Sequence, residues 1–259
     1  MEIKNMEIDK IYNIDCLEGM KHIPDGSIDA IICDLPYGTT ENEWDIIIPF
    51  DKLWEQYLRI MKGNAPVILF SQMPFTIDVI CSQRKLFRYE WIWEKTCPTG
   101  VMNAKKMPLK AHENICVFYK QLPTYNPQKW KGEILKGVRR SNVQSKNYGK
   151  QGVLEFHPDP EGLRFPLDVI VFPPDVGAKD STHCKDRHPT QKPVDLLRYL
   201  IRTYSNEGDT ILDNCMGSGT TAVACIKEKR HFIGFELNKQ YYDKACQRID
   251  AEQRQLTLF

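Results

Sequence analysis

Short apolar runs alternate along the chain with longer stretches in which apolar residues recur every three or four positions. The runs Ile11–Ile14, Ile28–Cys33, Pro66–Phe70, Tyr89–Trp93, Ile115–Tyr119, Thr210–Leu212 and His231–Phe235 predict strands. Phe50–Met61, Phe75–Gln83, Pro193–Tyr204, Thr220–Lys229 and Lys239–Gln253 predict helices. Pro193 suits a first helical turn, and Leu196, Leu197, Leu200, Ile201 and Tyr204 behind it keep the helical period. This alternation predicts an α/β fold: a mostly parallel sheet with helices on both faces. From about Gln121 to Arg187 the period fades into Pro, Gly, Asn, Lys and Arg, the texture of an insertion carrying recognition loops. Arg254–Phe259 reads as a loose tail.

Two strand exits stand out. Ile28–Cys33 runs straight into Asp34-Leu35-Pro36-Tyr37-Gly38. The acid can accept hydrogen bonds from an amine, Tyr37 offers a stacking face, and Pro36 fixes its own φ while biasing Leu35 away from helix. Far downstream, Thr210–Leu212 leads into Asp213-Asn214-Cys215-Met216-Gly217-Ser218-Gly219-Thr220-Thr221, a strand, a glycine loop and a helix. It is neither a P-loop nor a full dinucleotide fingerprint, lacking the Lys-Ser/Thr of one and the third glycine of the other. The next strand ends at Glu236, where an acid can hydrogen-bond a ribose diol. Together these features suit a planar amino-bearing base and a nucleoside-type ligand. Plain readings stand beside these: Asp34 to Tyr37 as an ordinary loop exit, Asp15 as a helix N-cap, and Trp44, Trp91 and Trp93, of the five tryptophans, as packing.

Charge adds a partner class. The chain has 259 residues and a net charge of +1, yet between Met102 and Lys150 eleven Lys/Arg face two acids, Glu113 and Glu133. That block carries +9 and leaves −8 for the rest. Interleaved Phe118, Tyr119, Tyr125, Trp130 and Tyr148 direct the expectation toward nucleic acid over a merely solvated loop. Nine scattered cysteines with no Cys-x-x-Cys pair suggest reduced thiols, with no metal site. There is no run of 18 apolar residues and no signal-peptide core at the start, so a cytoplasmic protein without membrane contact is expected.

The motifs in this order resemble the S-adenosylmethionine-dependent amino-group DNA methyltransferases, whose catalytic tetrapeptide is Asp-Pro-Pro-Tyr or a close variant. Asp34-Leu35-Pro36-Tyr37 is similar to that tetrapeptide, with leucine in place of the first proline. Asp213, Gly217, Ser218, Gly219 and Thr220 resemble the methionine-binding loop, and Glu236, followed by Leu237, the ribose-binding acid. Asp15, with Cys16, resembles the adenine contact of the cofactor. His188-Pro189-Thr190-Gln191-Lys192-Pro193 resembles the segment beside the cofactor's methionine end, which makes Lys192 a cofactor residue. Catalytic motif first and cofactor loop last is the permuted order called the β group.

The resemblance implies one permuted Rossmann-like domain over 1–259, with a seven-stranded sheet in the order 3-2-1-4-5-7-6 and strand 7 antiparallel. It places a target-recognition region at 121–187. It also implies transfer of a methyl group to the N6 of a flipped adenine in double-stranded DNA, with N4 of cytosine as the alternative and RNA methylation as a more distant one. Asp34 and the Leu35 carbonyl would accept from the amine, Asp34 would also border the cofactor, and Tyr37 would stack on the base. Lys105, Lys106, Arg139 and Arg140 are the expected DNA contacts. A second copy of the chain and a separate restriction endonuclease are partners that the family admits. A nicotinamide oxidoreductase would need the missing third glycine, and cytosine-C5 methylation a Pro-Cys thiolate that the chain lacks.

Overall fold

A computed structural model of the protein describes residues 6–42, 45–133, 139–141, 144–145, 149–150, 154–156, 159–173 and 191–256. Trp44 and His188-Pro189-Thr190 lie outside the described residues. In chain order the first half gives β1 (Lys10–Tyr12), α1 (Cys16–Met20), β2 (Ala30–Asp34), α2 (Phe50–Ile60), β3 (Val67–Ser71), α3 (Phe75–Ser82), β4 (Phe87–Thr99) and β5 (Lys110–Phe118). Six short strands follow: β6 (Trp130–Lys131), β7 (Arg139–Ser141), β8 (Gln144–Ser145), β9 (Gly149–Lys150), β10 (Leu154–Phe156) and β11 (Leu163–Arg164). The chain then forms β12 (Val169–Phe172), α4 (Val194–Tyr204), β13 (Thr210–Asp213), α5 (Thr220–Lys227), β14 (His231–Phe235) and α6 (Lys239–Leu256).

The central sheet runs β1-β14-β13-β2-β3-β5-β4-β12. Its first seven strands are the expected order, with β5 antiparallel to both β3 and β4. The eighth, β12, corrects the expectation of seven: it pairs in parallel with β4 through Val169↔Ile92 to Phe172↔Lys95. Apolar Val169-Ile170-Val171-Phe172 reads as a strand, but the Pro- and Gly-rich residues on either side mask its period in sequence. The stretch 121–187 is therefore divided. Pro127–Leu167 is a separate compact unit, in which β6 pairs with β11, β7 with β10 and β8 with β9, all antiparallel. β12 belongs to the main unit. At the C-terminus α6 extends to Leu256, past the start of the expected tail.

Consecutive strand residues feed opposite faces, which is why these strands are apolar without alternation. On one face Ile31, Cys33, Val67 and Leu69 pack with Leu53, Trp54 and Tyr57 of α2 and Phe75 and Val79 of α3. On the other, Ala30, Ile32, Ile68 and Phe70 pack with Leu196, Leu197, Leu200 and Ile201 of α4 and Ala222 and Cys225 of α5. The sheet order reverses between β13 and β2, the position at which open α/β sheets leave a crevice beyond their strand ends.

Candidate active site

Four adjacent parallel strands, β1, β14, β13 and β2, point their C-terminal ends to one edge, and an acid stands at or just past each end: Asp15, Glu236, Asp213 and Asp34. Asp15 caps α1, its Oδ1 accepting from the N–H of Leu17 at 2.9 Å and of Glu18 at 3.2 Å. Cys16 behind it is buried. Glu236 braces the glycine loop: Oε2 accepts from the Gly217 N–H at 2.8 Å and Oε1 from the Asn238 N–H at 2.7 Å. Burial pushes its pKa up against those two donors. Asn13 donates to the carbonyls of Glu236 and Leu237, tying the end of β14 to the loop after β1.

Gly217 and Gly219 both have positive φ, 54° and 80°, so other residues there would be strained. A Cβ on Gly219 would also meet that of Ala245 at 3.1 Å. Asp213 accepts from the Thr221 hydroxyl at 2.5 Å and the Cys215 N–H at 3.1 Å, and burial pushes its pKa up to about 6. Ser218 donates to Gln191 at 3.0 Å, and Arg248 donates to Thr220 Oγ1 at 2.9 Å. Asn214 accepts from the buried Tyr57 hydroxyl at 2.5 Å, linking the loop to α2.

At the end of β2 both carboxylate oxygens of Asp34 are engaged. Oδ1 accepts from the Tyr37 hydroxyl at 2.8 Å, and Oδ2 from the Lys192 ammonium at 2.6 Å. Each oxygen keeps a second lone pair for an incoming donor. The Tyr37 ring stacks on Phe75, with centroids 5.0 Å apart. Leu35 is buried in the core under α2 and α3, so packing holds the backbone there.

Lys192 is also 3.3 Å from Glu113 Oε2, and Glu113 Oε1 lies 2.5 Å from Lys95. The result is an alternating chain, Asp34⁻, Lys192⁺, Glu113⁻, Lys95⁺, nearly all out of water. Burial works against the Lys192 charge, but Asp34 and Glu113 outweigh it and raise its pKa. Burial likewise opposes Glu113, yet Lys192 and Lys95 hold it below the usual carboxylate range. For Asp34, burial dominates and lifts its pKa, helped by Glu113 and opposed by Lys192. Burial disfavours the thiolate here, pushing Cys33 up to about 12.

The loop after Tyr37 folds over a single acid. Asp45 accepts from the N–H groups of Gly38, Thr39 and Thr40 at 2.8, 2.9 and 2.7 Å. Burial opposes its charge, but these bonds hold its pKa below the ordinary value.

Residues 28–247 match the family profile for N6/N4 methyltransferases, described as a DNA methylase. The chain belongs to that family. Among its relatives, the Type II methyltransferase M1.MboII of Moraxella bovis is 29% identical over 255 residues, covering 93% of this chain and 96% of the relative. The DNA adenine methyltransferase YhdJ of Escherichia coli (strain K12) is 30% identical over 265 residues, covering 95% and 84%. Among solved structures, M1.HpyAVI in complex with SAM superposes with a TM-score of 0.62 at 23% identity, covering 93% of this methylase and 98% of the other. The cytosine-N4-specific PvuII methyltransferase reaches 0.67 at 14% identity, covering 96% and 93%. At such identities these two structures speak for the fold alone.

The structure thus brings Asp34 and Tyr37 together with Lys192, and Gly217 together with Glu236, on one sheet edge. Lys105 and Lys106 sit apart, on the fully exposed turn between β4 and β5. Arg139 and Arg140 lie on β7 in the small unit. Trp91 and Trp93 are core residues, donating to the Tyr204 hydroxyl and the Phe172 carbonyl. Three site residues went unread in the sequence: Glu113, Lys95 and Asp45. A signal existed for the first, since Glu113 opens an apolar run inside a block otherwise almost devoid of acids. For Asp45 there was none.

Proposed function

We propose that this DNA methylase uses S-adenosylmethionine to methylate the N6 amine of adenine in double-stranded DNA, on a base rotated out of the helix. The observation that carries the reading is the pairing, along one edge, of Asp34-Leu35-Pro36-Tyr37 with the Gly217–Gly219 loop braced by Glu236. The loop fits a nucleoside with a short charged tail. Glu236 keeps an open lone pair on each oxygen for a ribose hydroxyl, and glycines at 217 and 219 allow close backbone approach. When bound, S-adenosylmethionine supplies a methyl group on a positively charged sulfur.

The remaining work falls to the chain. An exocyclic amine is a poor nucleophile because its lone pair is delocalised into the ring. Asp34, held ionised by Lys192, accepts one of its hydrogens, and the Leu35 carbonyl accepts the other, favouring a tetrahedral nitrogen with an available lone pair. The new N–C bond forms as the S–C bond breaks, and the amine then sheds one proton toward Asp34 or water. The carboxyl pKa, raised by burial, suits that acceptance. Tyr37 offers its ring to the base, and no covalent enzyme intermediate is required; positioning and fixed charge supply the rate. A base inside a duplex cannot reach this edge, which is why flipping belongs to the proposal.

Adenine is favoured over cytosine by the acid at the first tetrapeptide position and by the adenine relative from Escherichia coli. The kinship with a Type II methyltransferase supports a role opposite a separate restriction endonuclease, in the cytoplasm where the DNA is. Lys105, Lys106, Arg139 and Arg140 would meet phosphates, and Lys192 serves Asp34 as well as the cofactor side. Incubation with methyl-tritiated donor and duplex DNA, RNA or protein tests the reading. Label should enter DNA, and label in RNA or protein alone would overturn it.

A further inference from the structure

The arm formed by β4 and β5 does more than close the sheet. Asp34 is level with Phe70 of β3, which is level with Ile115 of β5, and β5 continues outward beyond that edge for five more residues to Lys110. At about 3.3 Å per strand residue, the turn that begins there stands roughly 15 Å beyond the carboxylate. The base of the arm is tied to the end of β3: Lys110 donates to Gln72 at 3.0 Å, and Gln72 donates to the His112 carbonyl.

The turn itself is held by backbone hydrogen bonds. It starts at Gly100 with φ 89°, continues through a short 3-10 turn at Val101–Asn103, and closes with Asn103 accepting at its carbonyl from Lys106 and Met107. Met102 rides on it 98% exposed, beside Val101 at 69%. From Thr96 to His112 the segment has three lysines and no acid. An apolar tip on a cationic arm, standing above the edge where a base must arrive, is complementary to one surface: phosphates outside and stacked bases within.

We infer that Met102 is a wedge that enters the DNA stack at the position the target base leaves, while Lys105 and Lys106 hold the flanking phosphates. The inference rests on the proposed base-flipping reaction and assigns the step that opens the duplex to this turn. Its energetic role is to occupy the vacated space, so it matters only where a pair has to be broken. A target opposite an abasic position is already unpaired and needs no wedge.

The experiment follows, once sequencing of modified bases has given the target site. Methylation rates of wild type, Met102→Ala and Met102→Leu are measured on a fully paired duplex and on the same duplex with an abasic position opposite the target. Met102→Ala should slow the paired duplex about tenfold or more relative to the abasic one, since unstacking is the costly step. Met102→Leu should stay near wild type on both. Equal slowing on the two duplexes, or an unchanged rate on the paired one, overturns the wedge. Wild-type methylation of the paired duplex separately tests the reaction on which the inference rests. Melting curves confirm that the exposed substitution leaves the fold intact.

Discussion

Replacing Lys192 by methionine should move the acid limb of methyl transfer upward by about two to three pH units. The ammonium lies 2.6 Å from Asp34 Oδ2 with only 8% of its side chain exposed. With an effective dielectric of about 20, the attraction at that separation is about 6 kcal/mol. At 1.36 kcal/mol per tenfold this attraction sets an upper bound above the movement expected. Water entering the vacated space lowers it, and removing one member of a buried pair costs about 3–5 kcal/mol, hence the smaller shift. The sign follows from charge: without its cation a carboxylate holds its proton to higher pH. Burial already lifts the Asp34 pKa, and loss of the cation adds to it in the same direction. Activity that needs ionised Asp34 is then lost as pH falls through the raised value and recovers above it. The assay is kcat/KM on duplex DNA from weakly acid to weakly basic pH, with Lys192→Arg as the charge-retaining control. An equal loss at every pH, or a limb that does not move, would refute the electrostatic role and leave Lys192 a packing residue.

Asp45→Ala orphans three backbone N–H groups of the loop after Tyr37 and should destabilise the protein by about 2 kcal/mol. Because folding lowers the Asp45 pKa from 3.8, the wild-type advantage is full at neutral pH and declines as pH falls through that lowered value; melting curves across acid pH would show it, and a constant gap would not. Glu236→Ala should weaken S-adenosylmethionine binding by about tenfold to a hundredfold, the worth of charge-assisted hydrogen bonds to a diol. Calorimetry reads this directly, and an unchanged Kd argues against ribose contact. Neutralising Lys105 and Lys106 to glutamine should flatten the dependence of log DNA affinity on log salt by about one unit per lysine. An unchanged slope would place both side chains in solvent.

Much of the fold was legible because parallel strands buried on both faces read as unbroken apolar runs, and β2, β3, β13 and β14 are of that kind. The two candidate-site loops were legible for a different reason: each sits at a strand exit, where local sequence carries the proposed chemistry. What escaped was non-local. Glu113 reaches Lys192, and Lys95 reaches Glu113, only because β5 pairs with β3 on one side and β4 on the other, bringing together segments far apart in sequence. Asp45 escaped because three backbone N–H groups leave no mark on residue identity. β12 was hidden inside a stretch whose composition is that of loops, and its apolar quartet pairs with the edge of β4, far away in sequence.

The central claim is that Asp34 and the glycine loop form one site that methylates an amine of DNA. Wild type and Asp34→Ala can each be incubated with methyl-labelled S-adenosylmethionine and duplex DNA, and the DNA digested to nucleosides for mass spectrometry. N6-methyladenine should carry the label with wild type and be absent with Asp34→Ala, while both proteins bind the donor alike. Label in N4-methylcytosine would correct the base and keep the site. No labelled amino-methyl nucleoside, or equal yield from the two proteins, would contradict the account.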